Sequence, residues 1–177
     1  MANIYEISPW TSGTNYNIND IVYYSLNNKK FYWYARTAIT SASTVPSLSN
    51  PQWGGVKYDE KTGMTKPHFF WKHSYGLNIT SEPRVQSLKF GDGYEQRTVD
   101  GINSLLLRGD ASFDLRDINE TKAISHFFNS RRGAESFIVK LPPPYDIDKL
   151  FVVRSWSVGL VFYNNYSIRT QLEEVTK

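Results

Sequence analysis

Residues 83–103 read PRVQSLKFGDGYEQRTVDGIN, and the two turns inside that stretch decide what kind of chain this is. Gly91-Asp92-Gly93 supplies the positive-φ residues that a tight hairpin demands, and side chains alternate in character from Arg84 to Phe90 before it. Tyr94 to Thr98 reads as the returning strand. Asp100-Gly101 then turns the chain into a long strand from Ile102 to Leu115. A phosphate-cradling loop would run from a strand into a helix and end in Gly-Lys-Ser or Gly-Lys-Thr; neither follows the GDG, so a hairpin is the reading.

Moving toward the C-terminus, the period changes. Asp117 followed by Glu120 has the spacing of a capped helix start. Ile118, Thr121, Ile124 or Ser125, and Phe128 fall on one helical stripe, with Phe127 beside it. Arg131-Arg132 suit the negative end of the helix dipole, and Gly133 suits the C′ position. Ser136 to Leu141 is a further strand, ended by Pro142-Pro143-Pro144. Leu150 to Trp156 and Ser167 to Val175 complete the set, with Val158 to Phe162 as a candidate addition.

Toward the N-terminus, residues 1–57 read as short aromatic strands between turns. Asn19-Asp20 turns into Ile21 to Tyr24, Asn27-Asn28 offers a second turn, and Phe31 to Arg36 (FYWYAR) is the paired strand. Ala38 to Pro51 is rich in Ser, Thr, Pro and Asn and reads as a loop before Trp53. Within GGVKYDEKTGMTK (54–66) no period is visible, and residues 58–66 read as a linker to a second domain at 67–177. The fold class is therefore mainly β: a small aromatic β module, then a β sandwich or split barrel with one packed helix.

Composition removes several chemistries. Without cysteine there are no disulfides, thiolate metal sites or cysteine nucleophile. The 20 basic and 17 acidic residues are scattered, whereas nucleic-acid binders concentrate positive charge in a patch. His68 and His73 have no metal-motif spacing, and His126 reads as a surface or interface residue on the helix. The carboxylate pairs Asp59-Glu60 and Asp146/Asp148 fall in loops, and Glu173-Glu174 point to opposite faces of a strand, so none reads as a catalytic pair. No cofactor or metal site is expected. Apolar runs such as Leu150 to Val153 are too short to cross a bilayer. The opening MANIYEISPWTSG lacks the basic-then-apolar layout of a signal peptide, so folding in a cytoplasm is expected.

The second domain resembles the minor tail protein M family of lambda-type long-tailed phages. The match is carried by FFWK at Phe69 to Lys72, PRVQSLKFGDGYEQR at Pro83 to Arg97 and DGIN at Asp100 to Asn103. It continues in FFNSRRGAESF at Phe127 to Phe137, PPPY at Pro142 to Tyr145, Trp156 and LEEV at Leu172 to Val175. The first module resembles the chitin-binding module of chitinases and cellulases. Trp10, Tyr16, the Asn19 to Val22 step, Trp33 to Ala35, Pro46 and Trp53 follow its order. Thr37-Ala38-Ile39-Thr40 stands where sugar-binding members carry an exposed aromatic pair, which favours core and protein docking over glycan binding.

The resemblance implies a structural role and no enzymatic activity. The expected part is a homo-oligomeric ring (six copies being one option) at the distal tail tip. It would join the tail tube to hub proteins, assemble around the tape measure and let DNA pass. The rival reading is a virion protein that binds host-surface glycan through its first module. Candidate docking or glycan contacts are Trp10, Tyr32, Trp33 and Trp53; candidate ring-interface residues are Arg131, Arg132, Asp92 and Tyr94.

Overall fold

The computed structural model describes residues 7–26, 29–47, 49–59 and 64–176. The first module is a four-stranded sheet of β1 (Ser8–Pro9), β2 (Ile21–Leu26), β3 (Lys29–Ala35) and β4 (Trp53–Gly54), in that order. β1 runs parallel to β2, and the other pairs are antiparallel. The turn expected at Asn27-Asn28 lies outside the described residues. Asn19 does turn the chain, at φ 68°, as its tolerance of the left-handed region allows.

The remaining elements are β5 (Val56–Asp59), β6 (Met64–Phe69), β7 (Asn78–Pro83), β8 (Val85–Lys89), β9 (Glu95–Val99), β10 (Leu105–Arg116), α1 (Ile118–Arg131), β11 (Phe137–Lys140), β12 (Asp148–Phe162) and β13 (Asn165–Glu174). Seven of these strands form one sheet in the order β5-β6-β11-β12-β13-β10-β7, and among the described residues β8 pairs only with β9. Only the β6–β11 pair in the large sheet is parallel. The segment expected as a linker is thus a correction: β5 and β6 pair from Val56↔Pro67 to Asp59↔Met64. The Val-Lys-Tyr-Asp of β5 alternates but is only four residues long, and the Met-Thr-Lys-Pro-His-Phe of β6 carries no strand period. β7 was likewise hidden by polarity. The candidate strand from Val158 onward is continuous with its predecessor, giving the 15-residue β12.

Helix α1 starts where the sequence expects. The Asp117 carboxylate accepts a bond from the Glu120 N–H at 2.7 Å, satisfying one of the first-turn donors. Glu120 does not reach back to close a capping box; it pairs with Arg116 at 2.8 Å. At the other end Arg132 itself takes the left-handed conformation, and Gly133 follows at positive φ. The apolar stripe is wider than expected. Ile118 is 40% exposed, whereas Ala123 through Phe128 are all buried. One face of the helix meets the large sheet, where Phe127 and Phe128 pack among Phe69, Phe113, Phe137 and Phe151. Side chains of this size dominate core energetics. The other face meets the first module, so His126, expected at the surface or at an interface, is only 3% exposed and lies at an internal junction.

Strand β3 makes that junction. Neighbouring side chains of a strand point to opposite faces. Phe31, Trp33 and Ala35 pack into the module's own cluster with Tyr16, Val22 and Trp53. Tyr34, and its cross-strand partner Ile21, belong to the core of the larger body. The first module therefore has one core to itself and shares a second.

Candidate functional site

Two clusters of chemistry-bearing or partner-bearing residues emerge, one inside the junction and one on the surface. In the junction, the Tyr34 hydroxyl and His126 Nδ1 are hydrogen-bonded at 3.0 Å, and the Tyr32 ring stands edge-on to His126 at 5.0 Å. The Trp71 indole N–H donates to Asn19 Oδ1 at 3.0 Å, a second polar tie between the two sheets. Burial, with the Arg131 charge adding to it, pushes the His126 pKa down to about 4. Burial raises that of Tyr34, against the opposing pull of Arg131. Burial also lowers Arg131, while Tyr34 and Glu135 hold its charge. At neutral pH the His126 imidazole is therefore neutral. None of the three main cavities among the described residues is lined by Tyr34, His126 or Arg131. The arrangement fastens the first module to the helix and the large sheet.

Among the described residues no three His, Asp or Glu side chains come together as a metal site. No helix among them is long and apolar enough to cross a membrane.

The surface cluster is larger. Every residue of β8 and β9, and of the turn between them, is exposed, including Val85, Leu88, Phe90, Tyr94 and Val99. A lone two-stranded ribbon is marginal in water, so its apolar side chains call for a covering partner. The far end of the β12–β13 hairpin repeats the theme. Val158 and Leu160 share one face, a bulge follows between Leu160 and Phe162, and Tyr163 sits in the turn; these residues and Val161 are all exposed, Phe162 at 70%. A solvated arm would be polar on at least one face; contiguous exposed apolar surface marks an interaction site.

The large sheet also has strand edges without a partner strand among the described residues. β7 pairs with β10 alone. β11 covers β12 only from Asp148 to Phe151, so beyond Phe151 the strand pairs with β13 alone. Such edges present rows of backbone donors and acceptors to another chain.

The chain matches the model of the phage minor tail protein family over residues 67–176. It belongs to that family. Tail tip protein M of Escherichia phage lambda is 31% identical over 90 residues, covering 50% of this chain and 80% of that protein. A chain in the tail of an empty GTA particle, solved with C6 symmetry, covers 70% of this chain and 91% of its own. Its TM-score of 0.39 at 13% identity is too distant to establish a shared topology. Family membership makes this chain a phage tail protein with a structural role in the virion. The family match begins at residue 67, and the aromatic module lies outside it.

The sequence-selected residues fall into three places. Trp33 and Trp53 are buried, at 7% and 4% exposure, and offer no ring face to a sugar. Trp10 is half-buried and edge-on to Tyr24 at 6.2 Å, and Tyr32 is taken up by the junction. Asp92 and Tyr94 share the tip of the β8–β9 ribbon, Asp92 at φ 66°. Arg131 lies 4.7 Å from the Phe127 ring and 3.4 Å from Glu135, while Arg132 is exposed at the helix end. Sequence reasoning missed the β12–β13 arm as a surface. The run VGLVFY, apolar at nearly every position, was the available signal, since a strand with one wet face alternates.

Proposed function

We propose that this chain is a structural component of the distal tail tip, built into a ring that joins the tail tube to the tip hub, supports tail assembly and lets DNA through. The observation that carries this reading is the apolar arm from Val158 to Tyr163, exposed on both faces and continuous with the open edge of β12. An arm of this kind is unstable as free surface and stable when a neighbouring copy covers it. Contacts between two different surfaces of the same chain propagate around an axis and close when the rotation allows. The likeness to a protein named for the tail tip favours the distal position over the tube itself. Neighbours in this reading are further copies, tail tube and hub proteins, and the tape measure during assembly.

The division of labour follows the sequence: residues 1–57 form the docking module, and 67–177 form the assembling body. With Trp33 and Trp53 inside the module and Tyr32 in the junction, protein docking is favoured over glycan binding. No enzymatic step belongs to the proposal.

The test is location and dependence. Tagged protein on intact virions should be seen by electron microscopy at the distal tip. Leu160→Ser with Phe162→Ser should yield folded protein and tailless particles. Label distributed along the tube, or normal tails from the double variant, would overturn the proposal.

A further inference from the structure

The β8–β9 ribbon ends in Phe90-Gly91-Asp92-Gly93-Tyr94, an acid between two exposed aromatic rings. Its five-residue strands hold that tip roughly 17 Å beyond its base. Both rings and the Asp92 carboxylate are exposed, so the tip is not seated anywhere on its own chain. Asp92 makes no ion pair among the described residues, whereas the neighbouring Glu95 is held by Arg97 at 2.9 Å.

Elsewhere the molecule has a cavity of about 500 Å³. Its wall is aromatic and aliphatic, with Phe69, Phe70, Trp71 and Leu141 among the lining residues. Its polar contributors include His68 and His73, and its charged ones are three cations, Arg36, Lys72 and Lys140, against the single acid Asp146. Lys140 is neutralised by Asp146 at 3.1 Å. Lys72 and Arg36 have no carboxylate partner among the described residues, and Arg36 lies 5.5 Å over the Phe70 ring. The volume is that of a site able to take a compact apolar group. An apolar hole with unspent positive charge beside it matches a knob of two aromatic rings around one carboxylate.

The geometry points to a knob-and-hole contact between copies: the Phe90–Tyr94 tip of one chain seats in the Phe69–Trp71 cavity of the next, with Asp92 facing Lys72. This deepens the ring reading and rests on it. The two halves of the contact lie on different surfaces, so each chain offers one knob and one hole, as a heterologous interface requires. Opposite charges fix which way the tip enters, and burial of the two rings supplies affinity. The contact also supplies a cover for a ribbon that would be marginal in water.

The absence of native cysteine allows a direct test on the full-length chain. Oxidation of the Asp92→Cys, Lys72→Cys double variant should give a disulfide-linked ladder ending at the closed oligomer. Either single variant should stop at dimers. Asp92→Cys with Asn129→Cys, the latter exposed on α1, should give no ladder. Separately, Asp92→Lys and Lys72→Glu should each weaken self-association by at least tenfold in sedimentation, and the double charge swap should restore most of it. Oligomers of normal size without a 92–72 ladder, or insensitive to the charge swaps, would refute the knob-and-hole contact and leave the ring intact. A wild-type chain that stays monomeric at every concentration would remove both.

Discussion

Acid should loosen the junction between the two sheets before it affects the rest of the molecule. His126 has a folded-state pKa of about 4 against an ordinary 6.5. A depressed value means that the unfolded chain binds the proton more readily. The stabilisation is therefore complete above pH 6.5 and is lost as pH falls toward 4. Each pKa unit corresponds to 1.36 kcal/mol, so the fall from pH 7 to pH 5 is worth at most about 2 kcal/mol. Allowing for some solvent access to the ring, about 1.5 kcal/mol is expected. In a chain of this length that lowers the melting temperature by roughly 3–6 °C. Calorimetry at pH 7, 6 and 5 on the wild type and on His126→Asn isolates the effect. Asparagine keeps an acceptor near the Tyr34 hydroxyl and cannot titrate. Other groups, including Glu120, whose pKa burial raises, titrate in both proteins and cancel in the difference. Equal pH slopes for the two proteins would refute the claim that His126 is held neutral by the junction.

Three further substitutions probe the frame that carries the arms. A Cβ on Gly55 would lie 2.8 Å from the Tyr32 carbonyl oxygen. Gly55→Ala should therefore cost about 1–3 kcal/mol in chemical denaturation. Gly109→Ala, whose nearest neighbour would be at 3.7 Å, should stay within about 1 kcal/mol of wild type. Asp117→Ala removes the acceptor for the Glu120 N–H and should cost about 1 kcal/mol, with Asp117→Asn recovering most of it.

What could be read in advance was local. The Asp117 cap and the GDG hairpin depend on residues within a few positions of one another, and their short-range chemistry holds wherever the rest of the chain goes. What was hidden depends on distant partners. Thr65 and Lys66 show no strand pattern, yet β6 sits between β5 and β11 because those strands supply its hydrogen bonds. The burial of His126 could not be inferred from a helix read as having one apolar face. The FYWY run at Phe31 to Tyr34 was the neglected clue, because bulky rings at consecutive strand positions imply that both faces are covered. Of the surface residues, Asp92 and Tyr94 were legible because a turn announces its own tip. The cavity beside Phe69 and Trp71 was not, since Lys72, Arg36 and Lys140 meet only after folding.

The two-faced strand β3 has a consequence for ancestry. Removing residues 1–57 would strip Tyr34 from the core and leave the His126 ring and the Trp71 N–H facing water. The module is thus not a detachable passenger. A relative that lacks such a module should carry a different, more polar outer face on the same helix. Whether a tail protein of this kind travels with a companion at its front end should be written in that helix alone, at the positions matching His126 and its neighbours, even in a fragment that begins well after the companion has ended.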